Sequence, residues 1–248
     1  MRKKNMQDQF GRKIEYIRVS VTDRCNLRCI YCMPQEGVPA VPHSEILTFD
    51  EIERFCRIAA ELGISRIKLT GGEPLVRRGL PFLLGKLKHI PGVEQVTLTT
   101  NGTLLKEQIR ELTANGLDAV NISLDTLDAQ RYHQVTRVGS LDKALEGLDA
   151  ALRCPGLPVK INCVPLEDGT DDDLLRLAEL ARKYPVDVRF IELMPFGPGK
   201  ESAGRSNTDI KEILERQFGS SQPYEKLLGN GPQKECLSPA FSTEQQLT

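Results

Sequence analysis

The sequence predicts an α/β fold in which six strands and six helices alternate along one chain. Short β-branched, apolar stretches recur at regular intervals, and the segments between them have the 3.6-residue periodicity of amphipathic helices. Such alternation favours parallel strands joined by right-handed crossovers. The strands are predicted near residues 14–21, 66–70, 95–100, 119–124, 158–164 and 186–193. The helices are predicted near residues 49–62, 79–89, 104–115, 141–153, 171–183 and 208–218.

Five of the predicted strands have one polar and one apolar side. Parallel strands covered by helices on both faces should be almost uniformly apolar, so the polar side indicates an interior lumen. Six such units predict a partial (β/α)6 TIM-type barrel, with its active groups at the carboxyl ends of the strands. An antiparallel sheet with one solvated face is the alternative, although the intervening helices forbid simple hairpins. The polar positions are Arg18, Ser20, Lys68, Thr70, Thr97, Thr99, Asn121, Ser123, Asp125, Lys160 and Asn162.

Hydroxyl residues mark the starts of three predicted helices. Thr48 with Glu51 three residues later has the spacing of a capping box, and Thr170 with Asp173 opens a later helix in the same way. Thr208 is predicted to cap the last helix. The first helix should bury an apolar stripe made of Ile52, Phe55, Cys56, Ala59 and Leu62.

Length and charge limit the organisation and the function classes. The 248 residues suffice for one main domain, which we predict over residues 1–218, followed by a polar tail over residues 219–248. A net charge of -1 argues against general binding to nucleic acids or membrane surfaces, which needs a basic field. The basic N-terminus lacks the apolar core of a signal peptide, and no apolar run approaches membrane-spanning length. We expect a cytoplasmic protein, or a matrix protein if it is transit-targeted.

Three cysteines crowd the loop that follows the first predicted strand. Cys25, Cys29 and Cys32 have the spacing to hold an iron-sulfur cluster, whereas the other four cysteines are scattered singly and do not suggest a disulfide scaffold. A cubane cluster normally takes four cysteines, so three leave one iron open for chemistry. A zinc site is the alternative, but His43 and Cys56 are the nearest further ligands and neither adjoins the loop.

Arg18, Lys68 and Lys160 fall on the polar side of the strands. Cations in a partly dehydrated lumen are costly unless negative charge matches them, and Asp125 is the obvious counterpart on that side. The pattern therefore predicts a small polyanionic substrate. The alternative is that one or more of these side chains extend to solvent at the barrel rim.

The cysteine loop resembles the signature of the radical S-adenosylmethionine superfamily, a CxxxCxxC loop with an aromatic residue directly before its third cysteine, here Tyr31. Further motifs resemble one family within it, the GTP 3',8-cyclases of molybdenum cofactor biosynthesis. They run from about residue 10 to about residue 218, in the family's order and spacing. The motifs are Phe10-Gly-Arg12, Tyr16-Ile-Arg18-Val-Ser20, Thr22-Asp23-Arg24-Cys25-Asn-Leu-Arg-Cys29, Lys68-Leu-Thr-Gly-Gly-Glu-Pro74, Thr99-Thr-Asn-Gly102, Asn121-Ile-Ser-Leu-Asp-Thr-Leu127, Val159-Lys-Ile-Asn-Cys163 and Val188-Arg-Phe-Ile-Glu-Leu-Met-Pro195.

This resemblance implies the cofactors, the substrate and their contacts. Cys25, Cys29 and Cys32 would hold a [4Fe-4S] cluster whose open iron binds S-adenosylmethionine, and GTP would be the substrate. The positions that match the family's S-adenosylmethionine contacts are Tyr31, Gly72, Ser123 and Met194. The positions that match its GTP contacts are Arg18, Lys68, Thr99 and Lys160, all on the polar side of the strands.

The resemblance also implies the reaction. Reductive cleavage of S-adenosylmethionine would give a 5'-deoxyadenosyl radical, which takes hydrogen from C3' of GTP, and the sugar radical would then attack C8 of guanine. The product is (8S)-3',8-cyclo-7,8-dihydroguanosine 5'-triphosphate. The implied partners are a low-potential electron donor, such as a flavodoxin or a ferredoxin, and a second copy of the chain in a homodimer.

The C-terminal region departs from the family pattern. Relatives carry a second cysteine triad with an adjoining Asn-Arg-x-Arg run, which hold another [4Fe-4S] cluster that binds the guanine base, and they end in Gly-Gly. After Gly229-Asn-Gly-Pro232 this chain has only Cys236. We expect a truncated or frame-shifted product that cleaves S-adenosylmethionine without coupled turnover of GTP.

Two other functions remain open from the sequence. The chain could be another radical enzyme acting on a different small anion, or a non-catalytic protein that binds zinc or a partner. Anaerobic reconstitution with iron and sulfide separates the last possibility from the others.

Overall fold

A six-stranded, all-parallel sheet forms the centre of the structure, a computed structural model that describes residues 6–39, 41–195, 197–223 and 236–237. The strands pair in the order in which they follow one another along the chain. They are β1 (Tyr16–Ser20), β2 (Arg66–Thr70), β3 (Gln95–Thr100), β4 (Ala119–Ser123), β5 (Val159–Cys163) and β6 (Val186–Phe190). Among the described strands, β1 and β6 each pair on one side only, so the barrel is open between them.

Seven helices lie among the described residues and join or follow the strands. They are α1 (Phe49–Glu61), α2 (Leu80–Lys88), α3 (Leu105–Ala114), α4 (Ala129–Thr136), α5 (Leu141–Leu152), α6 (Asp171–Lys183) and α7 (Asn207–Phe218). Short 3-10 turns occur at His43–Glu45, Pro74–Val76 and Gly197–Glu201. Within the described ranges, no helix combines the length and the apolar character needed to cross a membrane.

The predicted α/β barrel is confirmed. All six strands lie where they were predicted, and all five pairings between them are parallel, so the antiparallel alternative is wrong. Helix α4 was not predicted. It has eight residues, of which Tyr132, Val135 and Thr136 are buried. An apolar pattern this short does not distinguish a helix from a loop in the sequence.

The register places the polar side chains in rows across the lumen. The apolar side of the same strands is sealed from solvent, with Leu69, Leu98 and Ile161 fully buried. Parallel pairing keeps partners in register on one face, so a single alternation of residue types builds both the core and the lumen. The rows are Arg18, Lys68 and Thr97; then Thr99, Asn121, Lys160 and Asp187; then Ser123, Asn162 and Arg189.

Two of the three predicted helix caps are confirmed. The Glu51 amide donates to Thr48 Oγ1 over 3.2 Å while the Thr48 amide donates to Glu51 Oε2 over 2.7 Å. Thr170 and Asp173 form the same reciprocal pair. The predicted cap at Thr208 is wrong, because α7 begins at Asn207. The Ser206 hydroxyl is the cap and accepts a hydrogen bond from the Asp209 amide.

The predicted core stripe of α1 is partly wrong. Ile52, Cys56 and Ala59 are buried, but Phe55 is 51% and Leu62 is 38% exposed. The side of the helix that carries Ile52 and Cys56 packs against the sheet, and Phe55 lies outside this contact.

Little of the predicted tail over residues 219–248 is described. Helix α7 ends at Phe218, where the main domain was predicted to end. Beyond it, β7 (Gln222–Pro223) pairs antiparallel with β8 (Cys236–Leu237). The rest of the tail lies outside the described residues, so its division from the main domain stays a prediction.

A close contact between α5 and the loop after β3 gives a test of this packing. A Cβ built on Gly147 would lie 2.1 Å from the Gly102 carbonyl oxygen, which belongs to the backbone and cannot swing away. We expect Gly147→Ala to lower the free energy of unfolding by about 1–3 kcal/mol, as overpacking does. Urea denaturation measures the change.

Gly85→Ala in α2 is the matched control. Its Cβ would meet the side-chain oxygen of Asn115 at 2.7 Å, and that side chain can move. Removing a helical glycine should then leave stability unchanged or raise it by about 0.5–1 kcal/mol. Equal stabilities for the two variants would contradict the packing at Gly147.

Candidate active site

The cysteine loop leaves the carboxyl end of β1 and folds into a tight turn. The amides of Cys32 and Met33 both donate to the Cys29 carbonyl, over 2.9 and 3.0 Å. The Leu27 amide donates to Cys25 Sγ over 3.4 Å. Cys25 and Cys29 are half-buried and Cys32 is exposed, so the three thiols lie at the surface of one turn.

The end of α4 fastens this loop to the barrel. The Arg28 amide donates to the Thr136 carbonyl over 3.0 Å, and the Ile30 amide donates to the Val135 carbonyl over 2.9 Å. Arg137 adds a clamp, because its Nη1 donates to the carbonyls of Arg28 and Met33 over 3.1 and 2.8 Å. Those two carbonyls lie on either side of Cys29 and Cys32. Arg137 has φ 64° and ψ -36°, a strained conformation for a residue other than glycine.

The three thiols have raised pKa values. Burial raises the pKa of Cys25 and Cys32, and burial followed by the charge of Asp125 raises the pKa of Cys29 to about 12. Each thiol is therefore protonated near neutral pH, and a metal that binds them must displace the protons.

A cavity lies beside Cys25, the first of the three cysteines. Its volume is about 400 Å³. Among the described residues, no three His, Cys, Asp or Glu side chains form a group that could hold a single metal ion. The thiolates of a cubane cluster bind separate iron atoms and do not have to converge on one point. The three thiols are donors that fit a cluster, and the cavity adjoins one of them, Cys25. The cavity is lined by Asp23, Arg24, Cys25, Arg28, Met33 and Val38.

The Gly71-Gly72 turn after β2 packs directly on the start of the cysteine loop. The Gly72 amide donates to the Thr22 carbonyl and the Glu73 amide to the Arg24 carbonyl, each over 2.7 Å. A Cβ on Gly71 would lie 2.6 Å from the Thr22 carbonyl oxygen, and one on Gly72 would lie 2.3 Å from that of Arg24. Both glycines are therefore needed for the contact between the two loops, which sets the position of the first cysteine.

Glu73 is a buried carboxylate that the sequence reasoning did not single out. It is 1% exposed. Its carboxylate accepts hydrogen bonds from the Leu75 amide, from Thr100 Oγ1 and from the Asn101 amide, over 2.9, 2.7 and 2.6 Å. Burial raises its pKa, and these donors oppose the rise. Glu73 thereby connects the end of β2 to the end of β3. Its position in the Gly-Gly-Glu-Pro run was the feature of the sequence that could have indicated its importance.

The loop after β3 reaches the cysteine loop through amide side chains. Asn101 Nδ2 donates to Asn26 Oδ1 over 2.8 Å, and Asn26 Nδ2 donates to Thr103 Oγ1 over 2.9 Å. Asn101 Oδ1 in turn accepts from the Thr103 amide over 3.0 Å. The loop at Asn101 is thus part of the support for the residues between Cys25 and Cys29.

Tyr31 and Asp125 form a second bridge, between the cysteine loop and the end of β4. The Tyr31 hydroxyl donates to Asp125 Oδ2 over 2.6 Å, and the Val164 amide donates to Asp125 Oδ1 over 2.8 Å. Burial raises the pKa of both side chains. The prediction that Asp125 balances the lumen cations is wrong, because its oxygens are bound by Tyr31 and Val164.

Two of the three predicted lumen cations, Lys68 and Lys160, are half-buried, whereas Arg18 is exposed, and β6 adds further charged groups to the lumen. Lys160 Nζ lies 2.7 Å from Asp187 Oδ2, and both side chains are largely buried. Asp187, rather than the predicted Asp125, is therefore the counter-ion of this lumen cation. Lys68 Nζ lies 5.8 Å from the centre of the Tyr16 ring. Asp187 and the buried Arg189 were missed, although their alternation with Val186, Val188 and Phe190 was visible in the sequence.

Positive charge concentrates around Lys68. Burial, then the charges of Arg18, Arg189 and Lys160, lower the pKa of Lys68 to about 8. Arg18 and Lys68 are partners in the strand register, and repulsion between such cations adds to the effect of burial. An anion bound there would relieve the repulsion.

The remaining predicted site residues lie around the same mouth. Thr99 is half-buried and pairs in register with Asn121, and Ser123 is half-buried opposite Asn162. Met194 is 66% exposed, in the segment after β6. A Cβ on Gly199 would lie 3.0 Å from the Met194 carbonyl oxygen and 3.2 Å from that of Tyr31, so this segment meets the cysteine loop.

An open parallel barrel with three loop cysteines at its carboxyl end defines a class of enzymes. The family model of the radical SAM superfamily matches residues 19–181. The chain belongs to this superfamily, and membership implies a [4Fe-4S] cluster and S-adenosylmethionine as cofactors.

Curated relatives narrow the family to the GTP 3',8-cyclases. One from Clostridium perfringens (strain SM101 / Type A) is 46% identical over 229 residues, which are 92% of this chain and 71% of the relative. One from Heliobacterium modesticaldum is 54% identical over 194 residues, which are 78% of this chain and 59% of the relative. The chain belongs to this family.

Solved structures support the fold independently. Methylornithine synthase (PylB) superposes with a TM-score of 0.64 at 16% identity, over 82% of this chain and 62% of that one. Streptococcus suis SuiB bound to S-adenosylmethionine superposes with the same TM-score at 18% identity, over 82% of this chain and 46% of that one. The partial-barrel architecture is therefore shared across distant sequences.

The Arg137 clamp yields a prediction about loading of the cysteine loop. Arg137→Ala and Arg137→Gly both remove the guanidinium bonds, so both should lower the iron and sulfide content after anaerobic reconstitution. Only the glycine tolerates the backbone conformation of Arg137 without strain, so it should be the more stable variant by about 1–3 kcal/mol. Metal analysis and urea denaturation measure the two effects.

Arg153→Ala is the matched control, because Arg153 is an exposed arginine paired with Asp149 on a helix surface. It should bind as much iron as the unmodified chain. Full iron content in both Arg137 variants would show that the clamp does not position the loop.

Proposed function

We propose that this chain is a radical enzyme of molybdenum cofactor biosynthesis that uses S-adenosylmethionine and binds GTP. Its reaction is the conversion of GTP to (8S)-3',8-cyclo-7,8-dihydroguanosine 5'-triphosphate, which we expect to be impaired because the sequence after Pro232 departs from the family pattern. The observation that carries the proposal is a juxtaposition. The loop with the three thiols lies at the end of the barrel whose lumen contains the cations around Lys68. The chain also belongs to the GTP 3',8-cyclase family.

Cys25, Cys29 and Cys32 would hold one [4Fe-4S] cluster with one iron open. When bound, the cluster supplies the electron that cleaves the sulfonium of S-adenosylmethionine to a 5'-deoxyadenosyl radical. The protein's part is to hold the loop rigid: Arg137 binds its carbonyls, and the glycine turn packs against its start.

S-adenosylmethionine would lie between the cysteine loop and the ends of the strands. Tyr31 lies in the loop after β1, Gly72 after β2, Ser123 at the end of β4 and Met194 after β6, and this shared position at the carboxyl ends of the strands supports the contacts that the family resemblance implies. Tyr31 would act with its hydroxyl already fixed on Asp125, so its ring has one orientation. Gly72 would contribute backbone, because no side chain fits there.

GTP would enter the polar lumen with its triphosphate among Arg18, Lys68 and Lys160, and with Thr99 beside it. Lys68 is the strongest candidate for a phosphate contact, because the neighbouring cations make its charge costly until an anion arrives. Lys160 already has Asp187 as a counter-ion, so its positive charge would be shared between Asp187 and the triphosphate.

The residues around the mouth would act by position rather than by proton transfer. A primary radical abstracts hydrogen from the nearest group, so the C3' hydrogen of GTP must be held in contact with the 5' carbon while water is excluded. The cations anchor one end of GTP and the rows of polar residues fix its depth. The electron donor, a flavodoxin or a ferredoxin, and the homodimer stay predictions, as does the cytoplasmic location.

Substitution of the cysteines tests the cluster. Cys25→Ser, Cys29→Ser and Cys32→Ser should each abolish cleavage of S-adenosylmethionine, because each removes a thiolate from the proposed cluster. Release of 5'-deoxyadenosine under anaerobic, reducing conditions measures the reaction. The yield of cyclised nucleotide in the same samples shows how much of the radical reaches GTP.

Cys154→Ser is the control for this series. Cys154 follows the end of α5, and its thiol donates to the Ala150 carbonyl of that helix, which a serine hydroxyl can also do. This variant should retain full cleavage. Stoichiometric zinc after anaerobic purification, with no uptake of iron, would reject the proposal.

The pKa of Lys68 makes nucleotide binding dependent on pH. Below pH 8 the ammonium group is already charged, and above pH 8 the free protein must take up a proton before the anion gains this contact. The affinity for GTP should therefore stay constant below pH 8 and fall above it, by up to about tenfold per pH unit. Calorimetric titrations at several pH values measure the affinity.

Two variants at this position separate charge from titration. Lys68→Arg stays charged throughout and should remove the fall above pH 8, whereas Lys68→Met should bind GTP more weakly at pH 7. Loss of a charge-assisted contact costs on the order of 1.5–3 kcal/mol. Unchanged affinity in Lys68→Met would contradict the assignment of Lys68 to the triphosphate.

A further inference from the structure

Arg28 carries a positive charge inside the cysteine loop. It lies directly before Cys29, and its Nη1 donates to the carbonyls of Cys25 and Leu27 over 2.9 and 2.8 Å. The side chain is half-buried and folds back over the loop toward the first cysteine. Arg28 and Cys25 also line the same cavity, so the guanidinium and the first cysteine border one space.

The other edge of the guanidinium lies against Gly37. A Cβ built on Gly37 would lie 2.8 Å from Arg28 Nε and 3.0 Å from Arg28 Nη2. Gly37 has φ 84°, a conformation that favours glycine, and its amide donates to the Pro34 carbonyl over 3.0 Å. The turn at Gly37 therefore leaves room for this side chain, and the guanidinium is held from two sides.

The charge of Arg28 is not neutralised within the part of the chain that the structure describes. The side chain donates there to two backbone carbonyls, which are neutral, and no carboxylate of the described residues forms an ion pair with it. Arg153, in contrast, pairs with Asp149. A half-buried cation without a counter-ion has lost part of its hydration, so a negative charge placed beside it is stabilised.

The hydrogen bond to the Cys25 carbonyl limits the distance between the guanidinium and the thiol. The carbonyl oxygen and the Sγ atom of one cysteine are separated by four bonds and lie at most about 5 Å apart. Arg28 Nη1 therefore lies within about 8 Å of Cys25 Sγ. A cluster held by Cys25 is bonded to that sulfur, so the guanidinium lies near the cluster whatever its orientation.

We propose that Arg28 is a positioning and tuning residue whose guanidinium stabilises the negative charge of the iron-sulfur cluster on the cysteine loop and thereby raises the reduction potential of the cluster. The inference rests on the proposed function, because it needs a cluster held by Cys25, Cys29 and Cys32. In this role Arg28 is neither a ligand of iron nor a contact of GTP.

The physical basis is the charge of the cluster. Three thiolates give a [4Fe-4S] cluster a net negative charge, and reduction adds one electron to it. A nearby cation stabilises the reduced form more than the oxidised form, so it raises the potential. At a distance of about 8 Å in a half-buried site, one charge changes the ratio of the two forms about tenfold.

The first experiment measures the potential of the loaded 248-residue chain by redox titration followed by electron paramagnetic resonance, without S-adenosylmethionine or GTP. Arg28→Gln removes the charge but keeps an amide group that can donate to the same carbonyls. Its ratio of reduced to oxidised cluster should shift about tenfold toward the oxidised form, which is about 59 mV for one electron. Arg28→Lys keeps the charge and should keep the potential of the unmodified chain.

A merely structural role of Arg28 predicts the opposite order. If the side chain acted only through its hydrogen bonds, Arg28→Gln would keep the potential, and Arg28→Lys would change it because an ammonium lacks the planar fork of donors. That order, or equal potentials in all loaded variants, would overturn the inference. Arg153→Gln, at an exposed arginine on a helix surface, is the matched control and should leave the potential unchanged.

Arg28→Met covers the case in which Arg28→Gln does not fold. It is also neutral and should show the same fall in potential, and thermal denaturation of the cluster-free chain shows which variants are folded. The ratio is read from loaded molecules only, so incomplete loading does not affect it. Equal potentials in Arg28→Met and Arg28→Lys would overturn the inference alone. Failure of the unmodified chain to take up a [4Fe-4S] cluster would instead reject the proposed function.

Discussion

The contact between the Gly71-Gly72 turn and the start of the cysteine loop is the constraint on which the rest of the site depends. Two backbone hydrogen bonds and the absence of two Cβ atoms let the loops after β1 and β2 approach to bonding distance. Glu73, the next residue, then uses its buried carboxylate to bind the end of β3. One short run of sequence therefore aligns three strand ends, and the first cysteine is held by backbone rather than by a flexible side chain.

The cysteine loop is fixed from its other side by α4. Arg137 binds carbonyls on both sides of the second and third cysteines, at the expense of a strained backbone conformation. Strain of this kind persists only where the surrounding contacts determine the geometry. Helix α4 thus contributes to the site although it carries none of the proposed ligands for the cluster, S-adenosylmethionine or GTP.

The positive charges of the lumen are only partly balanced by carboxylates. Lys160 is balanced by Asp187, whereas Lys68 is crowded by other cations and has a lowered pKa. A lumen in which every cation had its own carboxylate would have little affinity for a nucleotide triphosphate. The partial imbalance favours an incoming anion.

The sequence by itself determined the parallel α/β barrel, the polar lumen and the three-cysteine loop, because each depends on a local pattern: a period of two in the strands, a period of 3.6 in the helices, and a fixed spacing of thiols. Only the tertiary structure decided which groups pair. Asp125 binds Tyr31 instead of the lumen cations, Asp187 takes Lys160, and α4 supplies the clamp. Pairing depends on distances between residues far apart in the chain, and these are set by strand register and by the packing of helices on the sheet.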